Sequence, residues 1–164
     1  MSEEFGPRRF VYLLVLACAC AGALADEAPI VPLTVCETLK DLPSYEGKSA
    51  AVLGRYSFRQ DGSWLDQQTC DAPTAGPYAL LLTEDPNDGP RPPDTFQLDG
   101  AAINRKLAEI RKHTTLGKFR FGSTDYDRWA VVFGRVENRK DAAAKKAAAG
   151  LVFRGDGVVV FINP

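Results

Sequence analysis

Carboxylates are the first groups in this chain whose spacing allows chemistry. Asp125 and Asp127 flank Tyr126 immediately ahead of an apolar, strand-like stretch. A pair of carboxyl groups at a fixed separation is what glycosidases use to cleave a sugar linkage. A turn accounts for the same spacing equally well, because only the fold sets the distance between the two carboxyl groups. A small carboxylate-dependent hydrolase is therefore one hypothesis for this chain.

Metal-ligating and nucleophilic side chains are sparse. His113 is the single histidine; it falls at the C-terminus of a predicted helix, where the helix dipole favours an imidazolium and Glu109 is one turn away. Asp85, Asn87 and Asp88 resemble the start of a calcium loop, but a proline interrupts them and the downstream glutamate is missing, which predicts a solvated turn. We expect no metal site, no cofactor and no catalytic residue.

Aromatic and basic side chains on the predicted strands are the candidates for ligand binding. Aromatic rings could stack on sugar rings or bases, but strand alternation groups Tyr56 and Trp129 with core positions, so packing explains most of them. The arginines fall on the opposite faces or near strand ends. The predicted binding residues are three such arginines and one tryptophan: Arg55, Arg59, Trp64 and Arg135.

The first 25 residues have the layout of a secretory signal peptide. Arg8 and Arg9 form a positive n-region, residues 10–17 are apolar, and residues 23–25 (Ala-Leu-Ala) form a small-x-small cleavage site. Two alternatives stay open: Cys18 follows a lipobox-like stretch and would then be lipidated, or the segment remains as an uncleaved anchor, for which it is short. The expected location is secreted or periplasmic, with a lipid-anchored envelope protein as the alternative.

Two cysteines, Cys36 and Cys70, remain after the cleavage site. In an oxidising compartment they are expected to pair as a structural disulfide. A redox or nucleophilic role is disfavoured because the chain has no Cys-x-x-Cys motif and a single histidine.

Charge constrains the class of partner. The net charge is −1, and removal of residues 1–25 leaves it unchanged because that segment holds two arginines and two glutamates. Nucleic-acid binding normally needs a clustered basic excess. We therefore expect a protein or a glycan as the partner, no nucleic acid, and contact with a membrane only if Cys18 is lipidated; the oligomeric state stays open.

Hydrophobic periodicity predicts several short strands and two helices in a single domain over residues 26–164. Thr34 and Glu37 form a capping box for a helix over 34–42, and Asp99 caps a helix over 100–113. The predicted strands cover 49–59, 63–65, 78–83, 119–122 and 129–136, and a last hairpin joins 151–153 to 158–162 around a turn at 154–157.

Glycines and alanines mark the irregular positions. Gly54 predicts a bulge or bend inside the first long strand, and residues 61–62 (Asp-Gly) predict a hairpin turn. Residues 138–150 are rich in alanine and lysine and lack a large apolar side chain. They predict a mobile connector with nothing to bury.

The layout of these elements resembles a group of uncharacterised secreted bacterial proteins with small β-barrels of the OB type. The resembling residues are a helix with one cysteine and "Y-x-G-K" leading into "V-x-G", then Trp64, Cys70 and a "W-x-V-x-x-G-R-x-E" strand over 129–137. The resemblance implies a mainly β domain with peripheral helices (α+β), built as an OB-like small antiparallel β-barrel or curved sheet with one disulfide. OB barrels bind oligonucleotides or oligosaccharides through one strand face, but the fold alone does not determine function.

Taken together, these features predict a secreted or periplasmic, non-enzymatic binding or accessory protein. The secretion signal, the strand-rich layout and the shortage of catalytic groups support this hypothesis. The ligand remains open at this point.

Overall fold

The computed structural model describes residues 28–60, 62–70, 78–114, 116, 126–139, 147 and 149–161. Its strands are β1 (Leu33–Thr34), β2 (Ser49–Arg59), β3 (Gly62–Asp66), β4 (Ala79–Glu84), β5 (Tyr126–Asn138) and β6 (Ala149–Phe161). Its helices are α1 (Val35–Lys40), α2 (Leu42–Tyr45) and α3 (Gly100–Arg111).

The strands close into an OB-like β-barrel. They pair in the order β2–β3–β4–β6–β5, and β5 pairs back with β2, so every one of these strands has a neighbour on both sides. All pairings in the barrel are antiparallel except that of β4 with β6, which is parallel. The predicted mainly β fold is confirmed, and the barrel is mixed rather than purely antiparallel.

Side-chain alternation along β2 divides the domain into two apolar clusters. Ala50, Val52 and Tyr56 point into the barrel, where they meet side chains from the other strands and from α1. Ala51 and Leu53 point outward and pack under α3 together with Trp129. Thus α1 packs against the cluster inside the barrel, whereas α3 covers one half of the outer face of β2 and β5.

The two main helices begin where the capping signals predict. The Thr34 side chain accepts from the backbone N–H of Glu37, and the Glu37 carboxylate accepts from the backbone N–H of Thr34. Asp99 caps α3 through the N–H of Ala102. The apolar face predicted for α3 is buried: Ile103, Leu107 and Ile110.

Gly54 is required by close packing and does not form a bulge. Its pairing with β5 continues without a register shift. A Cβ at this position would lie 2.9 Å from side-chain atoms of both Val35 and Leu65. The hairpin predicted around residues 61–62 is present, with Arg59 opposite Gly62 as its last pair.

The final hairpin prediction is wrong, because β6 is one continuous strand over Ala149–Phe161. Between the pairs Val132–Val158 and Gly134–Phe153, β5 advances by two residues and β6 by five. The predicted turn residues 154–157 therefore bulge out of a strand that stays paired with β5 on either side.

Two further predictions differ from the structure: the end of the first helical region, and the mobile connector over residues 138–150. Pro43 does not end the first helical region; it lies inside the short helix α2, where proline is tolerated in the first turn. Ala147 and Ala149 are buried, and Ala149 already belongs to β6 opposite Leu80. Part of the predicted connector is thus packed, because small side chains fit there.

Several predictions lie outside the described residues. They concern residues 1–25 with Cys18, Asp125, the edge strand over 119–122, and residues 140–146 and 148 of the connector.

Candidate functional site

The uncovered half of the outer face of β2 carries polar residues. Beyond Leu53, the outward positions are Arg55, Ser57 and Arg59, which continue past the area that α3 covers. Register places Asp66 and Trp129 on either side of Arg55, and Trp64 and Asp127 on either side of Ser57. We call the following residues the outer-face cluster: Arg55, Ser57, Arg59, Trp64, Asp66 and Asp127.

Hydrogen bonds link the charged members of the outer-face cluster. Arg55 donates to both oxygens of Asp66, from Nε at 2.7 Å and from Nη2 at 3.0 Å. Arg59 donates from Nη2 to Oδ1 of Asp127 at 2.6 Å. The Ser57 hydroxyl lies 2.8 Å from Asp127 and 3.2 Å from Asp66, so it connects the two ion pairs.

Burial strengthens the attraction between the charged side chains of the outer-face cluster. Asp127 is only 3% exposed and Ser57 5%. Desolvation raises the pKa of Asp66, although Arg55 opposes the shift, and the negative charge of Asp127 adds to the rise. Burial acts against the charged form of Arg55, but its bonds to Asp66 raise its pKa, so the guanidinium stays charged.

Trp64 is the aromatic member of the cluster. It is half-buried and lies over Gly62, since a Cβ on Gly62 would come within 3.4 Å of its Cη2 and 3.5 Å of its Cζ2. Gly62 has a φ of +136°, which favours glycine. A residue without a side chain at this position leaves room for the indole along the strand.

Arg135 does not join the other predicted binding residues. It pairs opposite Ser49 at the start of β2, whereas Arg59 ends that strand. Its guanidinium instead binds Asp88 and lies 3.2 Å from Glu137. The bonds to Asp88 and Glu137 raise its pKa.

The loop that holds Asp88 is a turn of the Asx type. Asp85 accepts from the backbone N–H groups of Asn87 and Asp88, each at 2.9 Å. These bonds, first that of Asp88, lower the pKa of Asp85. The side chains of this loop therefore cap the loop itself and anchor Arg135.

The remaining aromatic candidates pack against one another or in the core. Tyr126 stacks between Tyr56 and Phe58, with ring centroids 5.8 and 5.6 Å apart. Arg128 lies 5.9 Å above the Tyr126 ring. Trp129 is only 2% exposed under α3, which agrees with the packing role predicted for it.

Of the two carboxylates in the hydrolase hypothesis, the structure describes Asp127. Asp127 is buried, and its Oδ1 accepts hydrogen bonds from both Ser57 and Arg59. Asp125 lies outside the described residues. The carboxylate that the structure does bring near Asp127 is Asp66, joined through Ser57. Ser57 and Asp66 were not predicted as site residues. The available signal was strand alternation, which places Ser57 on the same face as Arg55 and Asp66 on the same face as Trp64.

The cysteines and the histidine lie around a separate cleft. Cys36 and Cys70 form the predicted disulfide, with their Cα atoms 5.5 Å apart. His113 lies just past the end of α3 and lines this cleft. Glu109, one turn before His113, is ion-paired with Lys112.

Comparison with known proteins gives no match: no family model, no curated protein and no solved structure is similar to this chain. Within the described residues, no group of three or more histidine, cysteine or acidic side chains could hold a metal ion. No helix in the described ranges has the length and apolar character needed to cross a membrane. The family resemblance and the location therefore stay predictions.

Proposed function

We propose that this protein is a secreted or periplasmic, non-enzymatic binding protein that takes a glycan on the outer-face cluster. The observation that carries the proposal is the position of Trp64, Arg55 and Arg59 side by side on β2 and β3. OB barrels bind oligosaccharides and oligonucleotides through the strand face that includes β3 and through the adjoining hairpin loop.

The charges of the cluster favour a glycan over a nucleic acid. Arg55 is matched by Asp66, and Arg59 by Asp127. A phosphate backbone needs unmatched positive charge, which two such ion pairs do not supply. Paired carboxylate and guanidinium groups present both acceptors and donors, which suit the hydroxyl groups of a sugar.

The aromatic member of the cluster favours a glycan over a protein partner. Trp64 lies half-buried on the strand face, where its ring can stack against the apolar face of a sugar while the polar neighbours bind its edge. The large apolar side chains that are exposed among the described residues lie outside this cluster: Val31, Phe58 and Val160. The cluster thus lacks the apolar area that the core of a protein interface usually has.

The buried ion pairs also favour binding over hydrolysis. A general acid or base needs a carboxyl oxygen within reach of the substrate. Asp127 is buried and bonded to Ser57 and Arg59, which suits a positioning role for this carboxylate.

Tryptophan fluorescence tests the proposal directly. The chain has two tryptophans, and Trp129 is buried, so an emission change on adding cello-, malto- or chito-oligosaccharides would report on Trp64. By titration calorimetry, Trp64→Ala should weaken binding roughly tenfold or more, the scale of losing one stacking partner.

The matched control is Phe58→Ala, which removes an exposed ring from the other face of β2 and should leave the affinity unchanged. Absence of binding to every oligosaccharide, or equal affinity in Trp64→Ala, would contradict the proposal. Binding of oligo(dT) in place of sugars would assign the face to nucleic acid instead.

The proposed location rests on the signal-like leader, and a disulfide suits an oxidising compartment. The intact mass of the full-length gene product, expressed in a bacterium, tests it. A product that begins at Asp26 supports secretion, whereas one that begins at Cys18 with acyl chains makes the protein an envelope lipoprotein.

A further inference from the structure

A cleft of about 480 Å³ lies between α1, α3 and the segment that follows β3. None of the outer-face cluster lines it. Its volume falls in the range of about 300–1,000 Å³ that is typical of small-molecule sites. It is therefore large enough for an organic ligand rather than a single inorganic ion.

Ion pairs account for three of the four Lys and Glu side chains that line the cleft and leave Lys40 over. Lys106 is neutralised by Glu37, whose Oε2 lies 2.5 Å from its Nζ. Glu109 is paired with Lys112, 2.8 Å away. Within the described part of the chain, the side chains of the remaining two basic lining residues, Lys40 and His113, have no ion-pair partner.

We propose that this cleft binds a small organic molecule that carries one carboxylate, with Lys40 and His113 as the groups that hold it. A single unmatched ammonium balances a monoanion, whereas a phosphate monoester carries about −1.5 to −2 at neutral pH. Thr34 and Gln67 add polar groups to the wall, and Ile110 adds an apolar surface for the body of the ligand.

The disulfide holds one wall of the cleft in place. Cys36 on α1 is bonded to Cys70, and the backbone N–H of Cys36 donates to Oε1 of Gln67 at 3.3 Å. Gln67 and Thr69 both line the cleft, so the bond ties their segment to α1. Opening the disulfide should therefore weaken binding.

NMR titration of the full chain provides the test, because His113 is the only histidine and its ring signals are unambiguous. The probes are glucuronate, lactate and benzoate as monocarboxylates, glucose as an uncharged control, and inorganic phosphate. At least one monocarboxylate should shift the His113 ring signals and the amide signals of Lys40 and Gln67, whereas glucose should not.

Two lysine variants decide whether the cleft binds through its charge. Lys40→Gln should weaken carboxylate binding roughly tenfold or more, the scale of losing a hydrogen bond to a charged group. Lys48→Gln removes an exposed lysine ahead of β2 and should leave binding unchanged. Trp64→Ala should also leave it unchanged, which separates this site from the outer-face cluster.

Three results would overturn the proposal. They are the absence of His113 shifts with all three monocarboxylates, equal affinity in Lys40→Gln, and shifts with phosphate alone. The variant Cys36→Ser/Cys70→Ser, checked for a folded amide spectrum, should bind more weakly than the oxidised protein; unchanged affinity would remove the disulfide from the proposal.

Discussion

At the scale of single residues, Ser57 links the two ion pairs of the outer-face cluster. Its hydroxyl lies within hydrogen-bond distance of both Asp66 and Asp127. A hydroxyl has one proton, so it donates to one carboxylate at a time and both acidic groups depend on it. This makes a small side chain a connecting point for two buried charges.

Ser57→Ala should destabilise the fold by about 1–2 kcal/mol, because a buried carboxylate loses a donor that water cannot replace. Urea unfolding followed by circular dichroism measures the change. Ser57→Thr keeps the hydroxyl and suits a strand, so it serves as the control and should stay close to wild type. Equal stability of the alanine variant would show that the bond contributes nothing.

At the scale of elements, β2 carries a different environment on each face and at each end. Gly54 allows α1 and β3 to approach it from the barrel interior, while Leu53 packs outward under α3. Beyond the part that α3 covers, the same outer face of β2 carries polar residues. The strand thereby joins the core to the candidate site.

Gly54→Ala should destabilise the protein by about 1–3 kcal/mol, because the added methyl overpacks against Val35 and Leu65. Thermal unfolding of this variant is compared with that of Gly100→Ala, where a Cβ at the start of α3 meets nothing within 4 Å. The Gly100 variant should match wild type or exceed it slightly. Equal melting temperatures for both variants would contradict the packing argument.

The capping box of α1 should make stability depend on pH. Partial burial opposes the charged form of Glu37, but Lys106 and the Thr34 N–H together lower its pKa. A lowered folded pKa stabilises the fold above the unfolded value of about 4.3, and the contribution is lost as pH falls through the folded value.

Glu37→Gln keeps a capping side chain but removes the charge, so it should cost up to about 1 kcal/mol at neutral pH, with solvent screening keeping it small. The difference from wild type should shrink as pH falls from neutral through the folded pKa of Glu37, and vanish once that carboxyl is protonated. Urea unfolding across this pH range measures it, and Lys106→Gln should show the same profile. A pH-independent difference would contradict the role of the charge.

At the scale of the whole molecule, closure of the barrel leaves no open sheet edge between β2 and β5, which removes a route to edge-to-edge association. The disulfide adds a long-range link, because Cys36 and Cys70 are 34 positions apart in the sequence. It joins α1 to the segment after β3 and so constrains the chain across the first hairpin.

Reduction of the disulfide should lower the free energy of unfolding by about 3–4 kcal/mol, because the unfolded chain regains the entropy of an open loop of this length. Guanidinium unfolding of the oxidised and reduced protein gives the difference. Cys36→Ser/Cys70→Ser should match the reduced protein and be insensitive to reductant. A stability equal to that of the oxidised protein would mean that packing alone holds this segment.

Side-chain chemistry and residue spacing along the chain specify the local features of this protein. The caps at Thr34 and Asp99, the faces of β2 and α3, and the mainly β class follow from side-chain chemistry and from periods of two and 3.6 residues. The cysteine pairing was also accessible, since only two cysteines follow residue 25. These properties depend on neighbouring residues or on the simple count of a residue type.

Which residues meet in the candidate site depends on contacts between distant parts of the chain. Asp66 lies opposite Arg55 through strand register, and α3 covers one half of a face and leaves the other. The residues 154–157 look like a turn locally, yet pairing of β6 with β5 on both sides keeps the strand continuous. Arg135 lies away from the other predicted binding residues for the same reason. Long-range strand pairing sets its neighbours, and the local sequence pattern does not encode that pairing.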